Sequence, residues 1–151
     1  MADSLRQQIV DALDALFKTI LTTGGYETNI GSGVYWWRGE AVSVPELPAL
    51  LCRETERITP MTGGAEEHDM TLTLEIHSTS PDDGDTMRRC IADVTTCLGD
   101  DRTLGGLVAD IQRAGSSESS YVEHEGRKLF VSVLTFSILY ETLNFDQYTA
   151  T

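Results

Sequence analysis

The run Arg127–Thr142, RKLFVSVLTFSILYET, limits the possible folds more than any other stretch. From Lys128 to Glu141 it alternates around β-branched and aromatic residues, the period-two signature of a strand. These 14 residues span roughly 45 Å at about 3.3 Å each. A compact chain of 151 residues has a radius of gyration near 15 Å, hence a diameter of about 40 Å. The strand must cross the whole domain and project past it, whereas ordinary strands stop after about five or six residues. Phe130, Leu134, Phe136, Ile138 and Tyr140 form one rich face, while Val131, Val133 and Leu139 make the other face partly apolar. A chain with few helices cannot cover both, so a neighbouring subunit is the economical cover.

The other elements follow from spacing. Ser4 with Gln7 forms a capping box for a helix whose apolar side is Leu5, Ile9, Ala12, Leu13, Leu16 and Ile20. Gly24–Gly25 ends it near Thr22 or Thr23. Val34–Trp37 reads as a short strand, and Ala49–Ile58 as another that turns charged on both faces from Arg53. Pro45 and Pro48 hold the chain before it extended. TPMTGGAEEHD reads as a loop, then Met70, Leu72, Leu74 and Ile76 alternate with polar residues. Asp82, Asp83 and Asp85 suit a helix N-terminus, with Met87, Cys90, Ile91, Val94 and Leu98 in one stripe and Gly99 as a stop. The spacing also predicts a short third helix over Thr103–Arg113, a loop at AGSSESS, and a hairpin turning at Glu125–Gly126. Grouped strands with two main amphipathic helices indicate an α+β fold: a mostly antiparallel or mixed sheet, helices on one face, a long C-terminal hairpin, one domain over residues 1–151.

Charge removes several function classes. With 24 acidic against 11 basic residues the net charge is −13, which repels DNA, RNA and anionic membranes. The densest basic stretches are only Arg88–Arg89 and Arg127–Lys128. Three cysteines, no C-x-x-C and no apolar leader at MADSLRQQIV point to a reducing cytoplasm. No apolar stretch has the length of a membrane span.

Catalytic and metal motifs are not evident. His68, His77 and His124 read as solvated surface histidines, and EEHD at Glu66–Asp69 as a solvated loop rather than a divalent-ion site. Cys90 and Cys97 share the apolar face of one helix, and Cys52 the apolar half of a strand, so all three read as small core residues. Gly31–Gly33 precedes a strand and lacks the context of a phosphate loop. The expectation is a non-enzyme with no cofactor, no catalytic residue and no metal. Tyr35, Trp36 and Trp37 are consecutive, so on a strand at least one large aromatic points away from the helices. With Val131, Val133 and Leu139 they are the candidate interface residues, because exposed Trp and Tyr are enriched at binding hot spots.

LRQQIVDALDALFKTI, ELPALLCRETER, HDMTLTLEIHS, DTMRRCIADVTTCL, TLGGLVADIQ and the closing FSILYET occur in an order and spacing that resemble the tail terminator proteins of long-tailed bacteriophages. The resemblance covers nearly the whole chain; TPMTGGAEE and the YWW aromatics have no counterpart in it. It implies a virion structural protein, made in the host bacterial cytoplasm, that forms a hexameric ring on the tail tube. Such a ring ends tail polymerisation and joins the tail to the head. The implied partners are further copies of itself, the major tail tube protein and a head-completion or neck protein, with DNA passing through the pore without specific binding. Another head–tail connector or tail-completion protein fits the same pattern, and an acidic DNA-mimicking inhibitor fits the charge alone.

Overall fold

In the computed structural model, residues 3–80 and 83–150 are described; Asp82, one of the three expected capping carboxylates, lies outside them. Helix α1 spans Leu5–Phe17. Ser4 caps it by accepting the Gln7 N–H at 3.2 Å, but the Gln7 side chain turns to Asp11 instead of completing a capping box. The helix stops well before Thr22. Thr19 donates its hydroxyl to the Leu16 carbonyl and Ile20 N–H bonds back to Phe17. Threonine side chains that compete for backbone carbonyls disfavour further helix. Ile20 remains fully buried beyond the helix end. Gly31 packs against this corner so closely that a Cβ would lie 2.6 Å from the Phe17 carbonyl oxygen.

Five strands make one sheet in the order β1-β2-β3-β5-β4. They are β1 Val34–Trp36, β2 Ala49–Pro60, β3 Ala65–Ser80, β4 Asp110–His124 and β5 Arg127–Leu143. Only the β1–β2 pair is parallel. Helix α2, Asp85–Asp100, crosses between β3 and β4 and packs with α1 on one sheet face. This is the expected α+β architecture. Its core joins Ile9, Leu13 and Phe17 of α1 and Val94 and Leu98 of α2 to Met70, Leu72, Leu74 and Ile76 of β3. The apolar face of β5 and the first half of β2 complete it, and after Glu54 the residues of β2 other than Glu56 are exposed. Asp93 of α2 is buried because it accepts the Thr28 N–H at 2.8 Å and the Thr28 hydroxyl at 2.7 Å, tethering the loop before β1.

Four further expectations fail in the connections and at β4. The segment after α2 is not a third helix: Leu104, Gly105 and Gly106 have φ values of 48°, 69° and 94°, which break helical geometry. Leu104, Val108 and Ile111 are buried all the same, so the helical spacing came from a turn and a strand start that both face the core. AGSSESS belongs to β4, with a bulge between Ala114 and Glu118 where Gly115 has φ 65°. Pairing with β5 overrides the weak strand propensity of serine there. TPMTGGAEEHD is the tight β2–β3 hairpin: β2 ends at Pro60, β3 begins at Ala65, and Gly63 and Gly64 supply the positive φ values of the turn. Finally, Pro45 sits in a 3₁₀ turn, Val44–Glu46, rather than in extended chain.

Replacing Ile76 by alanine should cost about 2–5 kcal/mol in urea unfolding. Replacing Thr135 on the opposite face should cost less than about 0.5 kcal/mol. Equal losses would contradict a sheet with one packed face.

Candidate interaction surfaces

The aromatic triplet is divided among three environments. Trp36 faces α1, half-buried, and donates its indole N–H to Asp14 at 3.1 Å. Tyr35 points to the opposite face, where the Arg38 guanidinium lies 4.5 Å from its ring centre. Trp37 has φ 51°, is 58% exposed, and donates to Glu54 at 2.7 Å. Of the three, only Trp37 presents a largely open ring.

The outward face of β5 is half-buried rather than open at Val131, Val133 and Leu139. The chain supplies part of that cover. Ala41, Val42 and Leu47 line a cleft of about 200 Å³ with His77, Leu129 and Val131. Arg38 anchors this strap by an ion pair to Glu46 at 2.6 Å, and Glu46 also accepts from Ser43. Those two partners hold the Glu46 carboxyl well below the usual carboxylate range. Val133 and Leu139 lie outside that cleft.

His68 is the largest departure from the sequence reading. It is fully buried, not solvated, because β3 starts five residues before Met70 and Glu66 and His68 share its core-facing register. Its ring stacks on Tyr140 at 4.5 Å. Nε2 bonds the Thr142 hydroxyl at 2.8 Å, while Nδ1 lies 3.6 Å from Glu56 and Nε2 3.7 Å from Glu66. Arg6 of α1 pairs with Glu54 and approaches Glu56 at 3.7 Å. Tyr140 donates its hydroxyl to Glu56. This buried polar cluster fastens α1 and the C-terminal tail to the end of the sheet, since Glu66 also accepts the Phe145 N–H at 3.1 Å. The carboxylates flank His68 on opposite ring edges, and among the described residues no group of three or more acidic, histidine or cysteine side chains converges as a metal site would require. The signal that could have found it is the unbroken period-two series Glu66, His68, Met70.

His77 is half-buried on the outer face, 3.4 Å from Glu75. The side chain of His124 lies outside what is described. All three cysteines are buried; burial pushes the Cys90 thiol up to about 11 and raises Cys52 and Cys97. Exposed apolar side chains instead gather where β5 ends: Leu143 pairs with Ala65, whose carbonyl accepts the Met61 N–H, and Phe145 follows, 90% exposed. At the other end of the sheet Tyr121 and Val122 are exposed beside the β4–β5 turn. Among the described residues no helix is long and apolar enough to cross a membrane.

No protein-family model matches the chain, and no curated protein matches it. Solved structures that match include a chain described as "Virion of native gene transfer agent (GTA) particle", 10% identical, with a TM-score of 0.36. The match covers 90% of this chain and 92% of that one. A likeness that distant says nothing about what this chain does.

Two measurements check these environments. A Glu46 carboxyl with a depressed folded pKa stabilises the fold above its unfolded value of about 4.3 and loses that contribution as pH falls below it. The melting midpoint of Glu46→Gln should lie below that of wild type at pH 7, and the gap should close as pH falls below about 4. A gap that persists unchanged at the lowest pH would exclude the ion pair as its source. The native thiols should resist an aromatic disulfide reagent at pH 8 and all react in denaturant; rapid reaction of any one in the folded protein would contradict its burial.

Proposed function

We propose that this chain is a structural virion protein, a tail terminator that assembles as a ring on the end of a bacteriophage tail tube. The observation that supports the reading most is β5. It runs 17 residues, about 55 Å, and its outward face keeps Val133 and Leu139 half-buried with both helices on the other side. A monomer gains little from so long a two-sided strand, whereas a ring can use its length for subunit and tube contacts. The resemblance of the ordered sequence segments supplies the terminator role, the tube and neck partners, and the virion location. The acidity fits a pore that must let DNA slide without holding it, because like charges prevent sticking. Copies that each carry −13 also repel one another, so screening by salt or a divalent ion assists assembly.

Light scattering on a sizing column, at low and high salt and with and without magnesium, is the test. The expected species has about six times the 16.6 kDa chain mass and is favoured by screening. A stable dimer would overturn the ring. A strict monomer that also ignores purified tail tubes would overturn the terminator role and leave the acidic mimic.

A further inference from the structure

Two separate surfaces of the molecule carry complementary chemistry. At one end the chain leaves β5 and turns sharply at Phe145, whose φ of 59° is a strained conformation for a bulky residue. Such strain persists only where the surroundings impose it, and three bonds do so here. Asn144 N–H bonds the Gly64 carbonyl at 2.7 Å, Phe145 N–H bonds Glu66 at 3.1 Å, and Leu5 N–H bonds the Gln147 carbonyl at 2.7 Å. A phenyl ring is therefore held outward, 90% exposed, on an anchored backbone. Asp146 stands next to it, its Oδ1 accepting the Tyr148 N–H at 2.8 Å and the Thr149 N–H at 3.2 Å. An aromatic knob with a fixed carboxylate beside it results.

Elsewhere, α2 and the start of β4 enclose an open cleft of about 310 Å³. Leu98, Ile111 and Phe136 give it an apolar floor, and Arg102 and Arg113 stand on its rim. Arg102 is paired with Asp110 at 2.8 Å, whereas Arg113 makes no ion pair among the described residues. Two arginines at one apolar cleft are conspicuous in a chain with only 11 basic residues against 24 acidic ones. The cleft cannot take the chain's own knob. Phe136 and Leu143 are seven residues apart along β5, about 23 Å, before the chain even turns to Phe145.

We propose that the Phe145–Asp146 corner of one copy seats in the α2–β4 cleft of the next copy, the ring on Leu98, Ile111 and Phe136 and the carboxylate toward Arg113. The occupant is a second copy because the knob's chemistry, one aromatic followed by one acid, complements the cleft's chemistry, apolar floor with cationic rim. The contact joins different surfaces on the two partners. A head-to-tail contact of this kind closes into a ring or runs on as a helix, and does not stop at a symmetric dimer. It rests on the self-assembly reading above and names the contact that would produce it.

Cross-linking in trans tests it. One chain carries Asn144→Cys, which leaves Phe145 in place; a second carries Gln112→Cys at the cleft rim. The native thiols are buried, so mild oxidation acts on the introduced pair. The expected result is a disulfide-linked species of twice the chain mass in the mixture and in neither variant alone. Adding Phe145→Asp to the first chain should lower its yield about tenfold or more, as removal of a hot-spot anchor does. Arg113→Asp should lower it too, and Asp146→Arg on the opposite chain should restore it. Melting midpoints of the variants within a few degrees of wild type separate loss of contact from loss of fold. Assembly that persists with Phe145→Asp and gives no cross-link would overturn this contact and leave the ring standing. A wild-type chain that stays monomeric in solution and also on purified tail tubes would overturn both.

Discussion

The antiparallel ladder between β3 and β5 is the constraint on which the other parts depend. Every residue from Ala65 to Ser80 pairs with one from Leu143 back to Lys128, without a slip. Because strand side chains alternate with period two, this single register decides both faces at once. It puts Leu74 opposite Leu134, Leu72 opposite Phe136 and Met70 opposite Ile138, all toward the helices. The same register sends Thr73, Glu75, Val133 and Leu139 to the other side. A shift of one residue would turn Glu75 and Asp69 toward the core, which disfavours the slipped register.

The ladder is longer than the helices can cover, and the polar cluster follows from that mismatch. Where the apolar series of β3 runs out, the core-facing positions continue as His68 and Glu66. His68 meets Glu56 from β2 and Tyr140 and Thr142 from β5, and Glu56 in turn faces Arg6 of α1, which also pairs with Glu54. Burial of polar groups is tolerable only when partners are provided. Here Arg6 and the Phe145 N–H supply partners from the two chain ends, so the cluster also fastens the N-terminal helix and the C-terminal tail to the sheet; only His68 Nδ1 is left without a hydrogen bond in it. The exposed Phe145 owes its fixed position to that fastening, through Glu66.

The outer face has a different economy. It is neither a second core nor a plain solvated surface: threonines and charges alternate with half-buried valines and leucines, and the strap anchored by Arg38–Glu46 shelters the region of Leu129 and Val131. The net charge of −13 bears on solubility and on how other charged molecules approach, not on which fold forms.

Periodicity by itself determined the long strand, the alternation at Met70–Ile76, the apolar stripe of α2, the burial of the cysteines and the α+β class, because each is a repeating pattern within one segment. The tertiary structure decided what the pattern could not contain. Glu118, Ser119 and Ser120 became strand because β5 offered a ladder to pair with, against serine's own propensity, and residues 115–117 form the bulge beside them. Glu66 and His68 became buried because strands from distant parts of the chain brought partners to them; read alone, charged residues next to glycines look like a loop. The third helix failed because apolar spacing reports contact with the core and not the backbone that delivers it. The knob at Phe145 and the cleft beneath Arg113 were invisible for the same reason: each is assembled from elements far apart in sequence, and only the packed fold fixes their shapes.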